Sequence, residues 1–271
     1  RLPPELASVG VLTEPLSVAE KAIDEAVHLQ TTRLPDAAAH PDWLYGRRCL
    51  VAGLGPIGLL AAVVLRLRGA EVFGLDIVDE ASTRPQWLIQ IGGSYIDGRQ
   101  VSPEKVDQAI GPMELIFEAT GVASLAFNLL DALAPNGVYV LTGIPGGDRP
   151  LQISGAELIR RLVLNNQVMV GSVNASRDHF QMAVDDLAQV VQPGDRVVLR
   201  QILISLMNHA LPALQHIQAA VQPAEVELTL TFSEQPGASA MHEALFDTAA
   251  SWARHIRARL ENRSPRDSSS V

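Results

Sequence analysis

Arg48-Cys-Leu-Val-Ala-Gly-Leu-Gly-Pro-Ile-Gly58 runs from a short apolar segment directly into a G-x-G-x-x-G turn, and the helix-like segment Leu59 to Arg68 follows it. Strand, glycine turn and helix in that order are the layout of a dinucleotide-binding unit. Gly53 permits the tight turn, Gly55 lets backbone approach a pyrophosphate with no Cβ in the way, and Gly58 lets the helix lie close to the strand. With Leu54, Pro56 and Ile57 between them, residues 53–58 are candidate cofactor contacts. Phosphate would sit at a helix N-terminus, where free N–H groups and the positive end of the dipole favour an anion.

Glycine turns of this kind occur by chance in α/β proteins, so the surroundings decide. Glu71-Val-Phe-Gly-Leu-Asp76 is a second apolar strand, ending in an acid roughly twenty residues past the glycines, where a ribose-binding carboxylate is expected. A carboxylate there accepts hydrogen bonds from both ribose hydroxyls and repels a 2′-phosphate, so NAD is favoured over NADP. Asp79 competes with Asp76 for this role, and Arg84 could still neutralise a 2′-phosphate.

The remaining apolar runs recur at α/β spacing: Ser94-Tyr-Ile-Asp97, Glu114-Leu-Ile-Phe-Glu-Ala119, Gly137-Val-Tyr-Val-Leu-Thr142 and Gln167-Val-Met-Val-Gly171. None alternates cleanly, as expected of parallel strands buried on both faces. Arg84 to Ile91, Ser124 to Leu133 and Gly155 to Leu164 carry helical spacing, while Pro135-Asn-Gly137 and Pro145-Gly-Gly147 mark turns. The expectation is an α/β fold: a doubly wound, six-stranded parallel sheet with helices on both faces. Right-handed crossovers put the strand C-termini on one rim, the usual ligand side. Glu118-Ala-Thr-Gly121 and Thr142-Gly-Ile-Pro145 leave strands on that rim, with small residues where a flat ligand could lie against backbone. Thr120, Gly121, Gly143, Ile144 and Pro145 are therefore candidate contacts, and so are Ser172 and Asn174 at the exit of the sixth strand.

A chain of 271 residues, 47% hydrophobic, has material for a sizeable core. A formal charge of −9 argues against sequence-independent nucleic-acid binding, which needs basic surface. The longest apolar run, Cys49 to Leu65, is broken by three glycines and a proline, so no segment reads as a membrane span. The single cysteine, Cys49, lies within the first strand and reads as a buried structural thiol in a reducing cytoplasm. Lys21 and Lys105 are the only lysines; neither makes a P-loop, and neither lies four positions after a tyrosine as in short-chain dehydrogenases.

These segments, taken together, resemble the zinc-dependent medium-chain dehydrogenases, and within them the microbial glucose 1-dehydrogenases. The likeness rests on Leu12-Thr-Glu-Pro-Leu-Ser-Val-Ala-Glu-Lys-Ala22, the glycine turn, Tyr95-Ile-Asp-Gly-Arg-Gln100, Phe117-Glu-Ala-Thr-Gly121, Ala134-Pro-Asn-Gly137, Thr142-Gly-Ile-Pro145 and Val170-Gly-Ser-Val-Asn174. It implies that Glu14 lies beside a catalytic zinc and can ligate it. By the same likeness Asp76 reads the adenine ribose, Thr120 and Gly121 line the cofactor, Ile144 and Pro145 lie over the nicotinamide, and Asn174 is near nicotinamide and sugar. Other zinc ligands belong in the family to an N-terminal catalytic domain, for which nothing before Leu12 is long enough, and catalytic residues stay unassigned. His28 and His40 have no metal spacing, and His209 with His216, one heptad apart, read as a helix face.

The chain thus divides into a linker and bridging helix at 1–46, a NAD(P)-binding Rossmann domain at 47–190, a C-terminal family segment at 191–232 and an added helix and polar tail at 233–271. Val18 to Leu29 is the bridging helix, and Val226-Glu-Leu-Thr-Leu-Thr-Phe232 looks like a closing strand. The function implied is hydride transfer between NAD, or NADP, and an aldose or polyol, with zinc only where the catalytic domain is present. A homo-oligomer is expected. The alternative is a stand-alone NAD-binding module without chemistry, and a methyltransferase would share the glycine turn and acid.

Overall fold

A computed structural model describes residues 2–6, 9–40, 42–146 and 150–190, together with strand segments 216–222 and 225–231. Two compact units divide the chain: residues 1–145 with 150–213, and residues 146–149 with 214–271.

In the larger unit the strands are β1 Arg48–Ala52, β2 Glu71–Asp76, β3 Ser94–Asp97, β4 Met113–Glu118, β5 Leu133–Leu141 and β6 Val168–Gly171. The helices are α1 Thr13–Arg33, α2 Pro35–Ala38, α3 Pro56–Leu67, α4 Thr83–Gln90, α5 Val106–Ile110, α6 Ala123–Asn128, α7 Gly155–Leu164 and α8 Arg177–Val190. All six strands are parallel, in the order β3-β2-β1-β4-β5-β6. The order reverses between β1 and β4, so a crevice opens outside their carboxyl ends.

Alternation along β1 explains why its sequence shows no period of two. Cys49 and Val51 face a core built with α1, α3 and α8, while Leu50 and Ala52 join Phe73, Ile116 and Tyr139 on the other face. Every position needs an apolar side chain. Burial pushes the Cys49 thiol up, which leaves it a protonated structural group.

Two predicted segments take another form. The helix expected over Ser124 to Leu133 stops at Asn128, tightens into a 3₁₀ turn at Leu129–Ala132 and passes straight into β5. Pro135-Asn-Gly137, expected as a turn, lies inside β5, where the pairing with β4 shifts register and Asn136 adopts φ 61°. An irregularity absorbs the turn signal without ending the strand.

In the smaller unit β7 His216–Gln222 and β8 Glu225–Thr231 pair antiparallel. The expected strand Val226 to Phe232 therefore corresponds to β8, and His216 lies in a strand, which removes the helical reading of His209 with His216. His209, the segment 193–215 and the predicted helix and tail from 233 onward lie outside the described residues.

Candidate functional site

The turn after β1 is fixed by what each glycine meets. Gly53 has φ 89°, a left-handed conformation that disfavours side chains, and its N–H donates to Leu75 O at 2.8 Å. A Cβ on Gly58 would lie 1.8 Å from Gly53 O, so α3 reaches β1 only with glycine there. A Cβ on Gly55 would meet nothing within 4 Å. That side is open, at the N-terminus of α3, and Pro56 occupies the first helical position where a missing N–H costs no hydrogen bond. The N–H groups of Ile57 and Gly58 stay available in the first turn, as an anion site requires.

Asp76 ends β2 beside this turn. Its Oδ2 accepts from Leu54 N–H at 2.8 Å and its Oδ1 from Ile77 N–H at 2.7 Å. Arg84, from the first turn of α4, stands 3.5 Å from Oδ2. The acid thus braces the glycine turn as well as facing the crevice, while each oxygen keeps a lone pair for a ribose hydroxyl. Tyr95 donates to the carbonyls of Asp76 and Val78, which fixes this edge; burial and then the Asp76 charge push its phenol up to about 12. Asp79 instead caps its own loop through Ala81 N–H and pairs with Arg99, so it does not brace the turn.

On the other side of β1, the exits of β4 and β5 interlock. Gly121 has φ 66°, and a Cβ there would lie 2.6 Å from Ile144 O; a Cβ on Gly143 would lie 2.2 Å from Gly121 N. Glu118 holds both segments. Its carbonyl accepts from Thr142 N–H and hydroxyl and from Gly143 N–H, while its carboxylate Oε1 accepts from Thr120 N–H and hydroxyl and from Gly121 N–H. Ile144 is 62% exposed at the lip, followed by exposed Pro145.

At the β6 exit, Ser172 N–H donates to Leu141 O, and the hydroxyl lies between Lys21 Nζ at 3.1 Å and Glu25 Oε2 at 2.5 Å. Its side chain is therefore spent on α1. Asn174 is exposed with φ 64°. Glu14 is exposed in the first turn of α1, and among the described residues no group of three or more His, Cys, Asp or Glu could hold a metal ion. The described residues do not by themselves fit a catalytic zinc. A depression of about 410 Å³ lined by Trp43, Arg47, Glu114 and Asn136 opens at the opposite, N-terminal end of the strands. It lies away from the glycine turn, and Arg47 there is already paired with Glu114.

The glycine turn, Asp76 and the two rim loops lie where their sequence spacing places them, whereas the bracing by Glu118 and the Arg84 pairing are contacts that no local pattern carries. An acid closing an otherwise apolar strand was the available signal for Glu118.

The sheet order and the glycine turn after its first strand define a Rossmann-type fold of the dinucleotide-binding class. The sequence profile described as "Glucose dehydrogenase C-terminus" matches residues 7–222, and the chain belongs to that family. Among curated relatives, glucose 1-dehydrogenase 2 of Vulcanisaeta moutnovskia is 41% identical over 187 residues, covering 69% of this chain and 49% of that protein. Glucose 1-dehydrogenase 1 of Haloterrigena turkmenica is 39% identical, covering 68% and 48%. The solved Haloferax mediterranei glucose dehydrogenase in complex with NADP, Zn and gluconolactone is 29% identical with TM-score 0.63, covering 76% of this chain and 54% of that one. The chain spans about half the length of the curated relatives it matches.

Proposed function

We propose that this chain is the cofactor-holding part of a sugar dehydrogenase that transfers hydride between NAD, or NADP, and the C1 hydroxyl of an aldose such as glucose, or of a polyol. The observation that carries this reading is the open glycine turn at the N-terminus of α3, braced by Asp76. Residues Gly53 to Gly58 would hold the pyrophosphate and Asp76 the adenosine ribose. Thr120, Gly121, Gly143, Ile144 and Pro145 would line the nicotinamide half with Asn174 nearby, and Ser172 would serve by seating the β6 exit on α1. The bound nicotinamide supplies hydride chemistry at its C4. Glu14 would face a zinc whose other ligands come from outside the described residues.

The acidic balance supports a small-molecule ligand over nucleic acid, and no helix among the described residues is long and apolar enough to cross a membrane. A cytoplasmic site of action fits the reduced, buried Cys49. Self-association into a homo-oligomer is supported by α7, which leads into the outer strand β6 and whose Ile159, Val163 and Leu164 are exposed.

Two assays test the proposal. Calorimetric titration of the chain with NAD, NADP and S-adenosylmethionine should give micromolar-range binding of a nicotinamide dinucleotide; binding only S-adenosylmethionine would sink it. The protein as made by its native host should reduce NAD or NADP with glucose or another aldose and lose that activity with a zinc chelator. Dinucleotide binding with no turnover on any sugar or polyol would leave the stand-alone module as the function.

A further inference from the structure

Glu118 is the buried acid that the dinucleotide reading leaves without a chemical task. It is 1% exposed, at the C-terminal end of a central strand, opposite Ala52 in the β1–β4 register. A buried carboxylate is costly unless paired with a cation or fully hydrogen-bonded. Glu118 enters no ion pair among the described residues. Its donors are dipoles only, the Thr120 and Gly121 N–H groups and the Thr120 hydroxyl, and all three go to Oε1. Oε2 accepts from none of them and lies against Gly143, 2.6 Å from where a Cβ would stand. One oxygen is thus fully committed, and the other faces the loop junction at the rim.

Its place relative to the ligand follows from the sheet order. With pyrophosphate at the β1 turn and adenosine over Asp76 on β2, the other half of a dinucleotide must run over β4 and β5. That half ends in the nicotinamide ring, which is cationic when oxidised and neutral when reduced. Gly143 and Gly121 place no side chain between the carboxylate and the rim.

We propose that Glu118 sets the redox preference of this site, its buried negative charge favouring the oxidised, cationic nicotinamide over the neutral reduced ring. The inference rests on the dinucleotide reading above. In an effective dielectric near 20, one buried charge within about 12 Å of the ring corresponds to at least about tenfold in affinity between charged and neutral rings.

The experiment measures dissociation constants of the 271-residue chain for NAD⁺, NADH and benzamide adenine dinucleotide, a neutral isostere of the oxidised form. The native chain should bind NAD⁺ about tenfold more tightly than the isostere. Glu118→Gln, which keeps shape and an acceptor for Thr120 and Gly121, should bring NAD⁺ down to the isostere while NADH and the isostere stay within about twofold. Glu118→Asp keeps the charge on a shorter arm; it should weaken all three ligands yet retain the preference for NAD⁺ over the isostere. Equal affinity of the native chain for NAD⁺ and the isostere overturns the proposal whether or not either variant folds, and so does a uniform loss of all three ligands in Glu118→Gln. A native chain that binds none of the three removes the dinucleotide reading, and this inference with it.

Discussion

Gly55 and Gly58 are two glycines of one turn with opposite physical duties. Gly58 serves the fold, because its missing Cβ is the space through which Gly53 O passes. Gly58→Ala should therefore cost about 3 kcal/mol or more in urea denaturation, since the atoms met first are Gly53 backbone rather than the end of a flexible side chain. Gly55 faces open space, so Gly55→Ala should change stability by less than about 1 kcal/mol while weakening NAD binding at least tenfold, by roughly 1.4 kcal/mol or more. Equal stability losses in the two variants would show that the turn is not divided in this way. Arg84 carries a separate expectation at the adenosine end. It stands beside Asp76 at 3.5 Å, where it would offset the repulsion of the acid for a 2′-phosphate. Arg84→Ala should weaken NADP by about fivefold to tenfold, as loss of a partly exposed charge contact does, and leave NAD unchanged or slightly tighter. Parallel titrations with both cofactors check this, and a common shift in the two would assign Arg84 to bracing alone.

At the scale of elements, α1, α3 and α8 are joined by one guanidinium and two acids. Arg68, at the C-terminal cap of α3, reaches Glu20 of α1 at 2.6 Å and Asp186 of α8 at 2.7 Å. One positive charge faces two carboxyls, with Asp24 near, and burial together with the neighbouring Asp186 pushes Glu20 up from 4.5 to about 9 despite Arg68. Glu20 is then protonated in the folded chain at neutral pH and ionised in the unfolded one. Because the folded state binds more protons here, this contribution is fully present below about 4.5 and is lost as pH rises towards about 9. Glu20→Gln, a permanent neutral mimic, should show a melting temperature that falls less than the native protein's from about pH 5 to about pH 9. Identical slopes would mean that Glu20 is ionised in the fold. None of this node could be read in the sequence, since its members lie far apart in the chain. Strands β1 to β6 and the helices α1, α3, α4 and α7 are legible because apolar runs and helical spacing are local. Short α5 offered too few residues to show a period, and α8 went unread because its apolar face, Ala183 and Leu187, is narrow and interrupted by acids. The same contrast holds in the site: the glycine turn and Asp76 sit at fixed spacing, whereas the grip of Glu118 on Thr142 and Gly143 requires two strands side by side.

For the whole molecule, the sheet order accounts for which surfaces are finished and which are not. Central strands β1 and β4 are flanked on both sides, but β6 closes the sheet with its outer edge unpaired among the described residues. The helix that leads into it, α7, buries no residue, and Ile159, Val163 and Leu164 are 63%, 70% and 75% exposed. Ile159 and Val163 lie four residues apart, on one helical face. An exposed strand edge next to an apolar helix face favours pairing with another chain. A second copy related by a two-fold axis would present the same surface, so that edge meets edge and each α7 covers the other. Sedimentation at tens of micromolar should accordingly give about twice the 29.1 kDa of one chain. Replacing both Ile159 and Val163 by Glu places two like charges from each copy across the two-fold, which should return the protein to a single-chain mass. NAD affinity should be unaffected, because α7 lies away from the β1 turn and contributes none of the groups around Asp76. A native chain that sediments at the single-chain mass at these concentrations removes the self-association proposal while leaving the cofactor site intact.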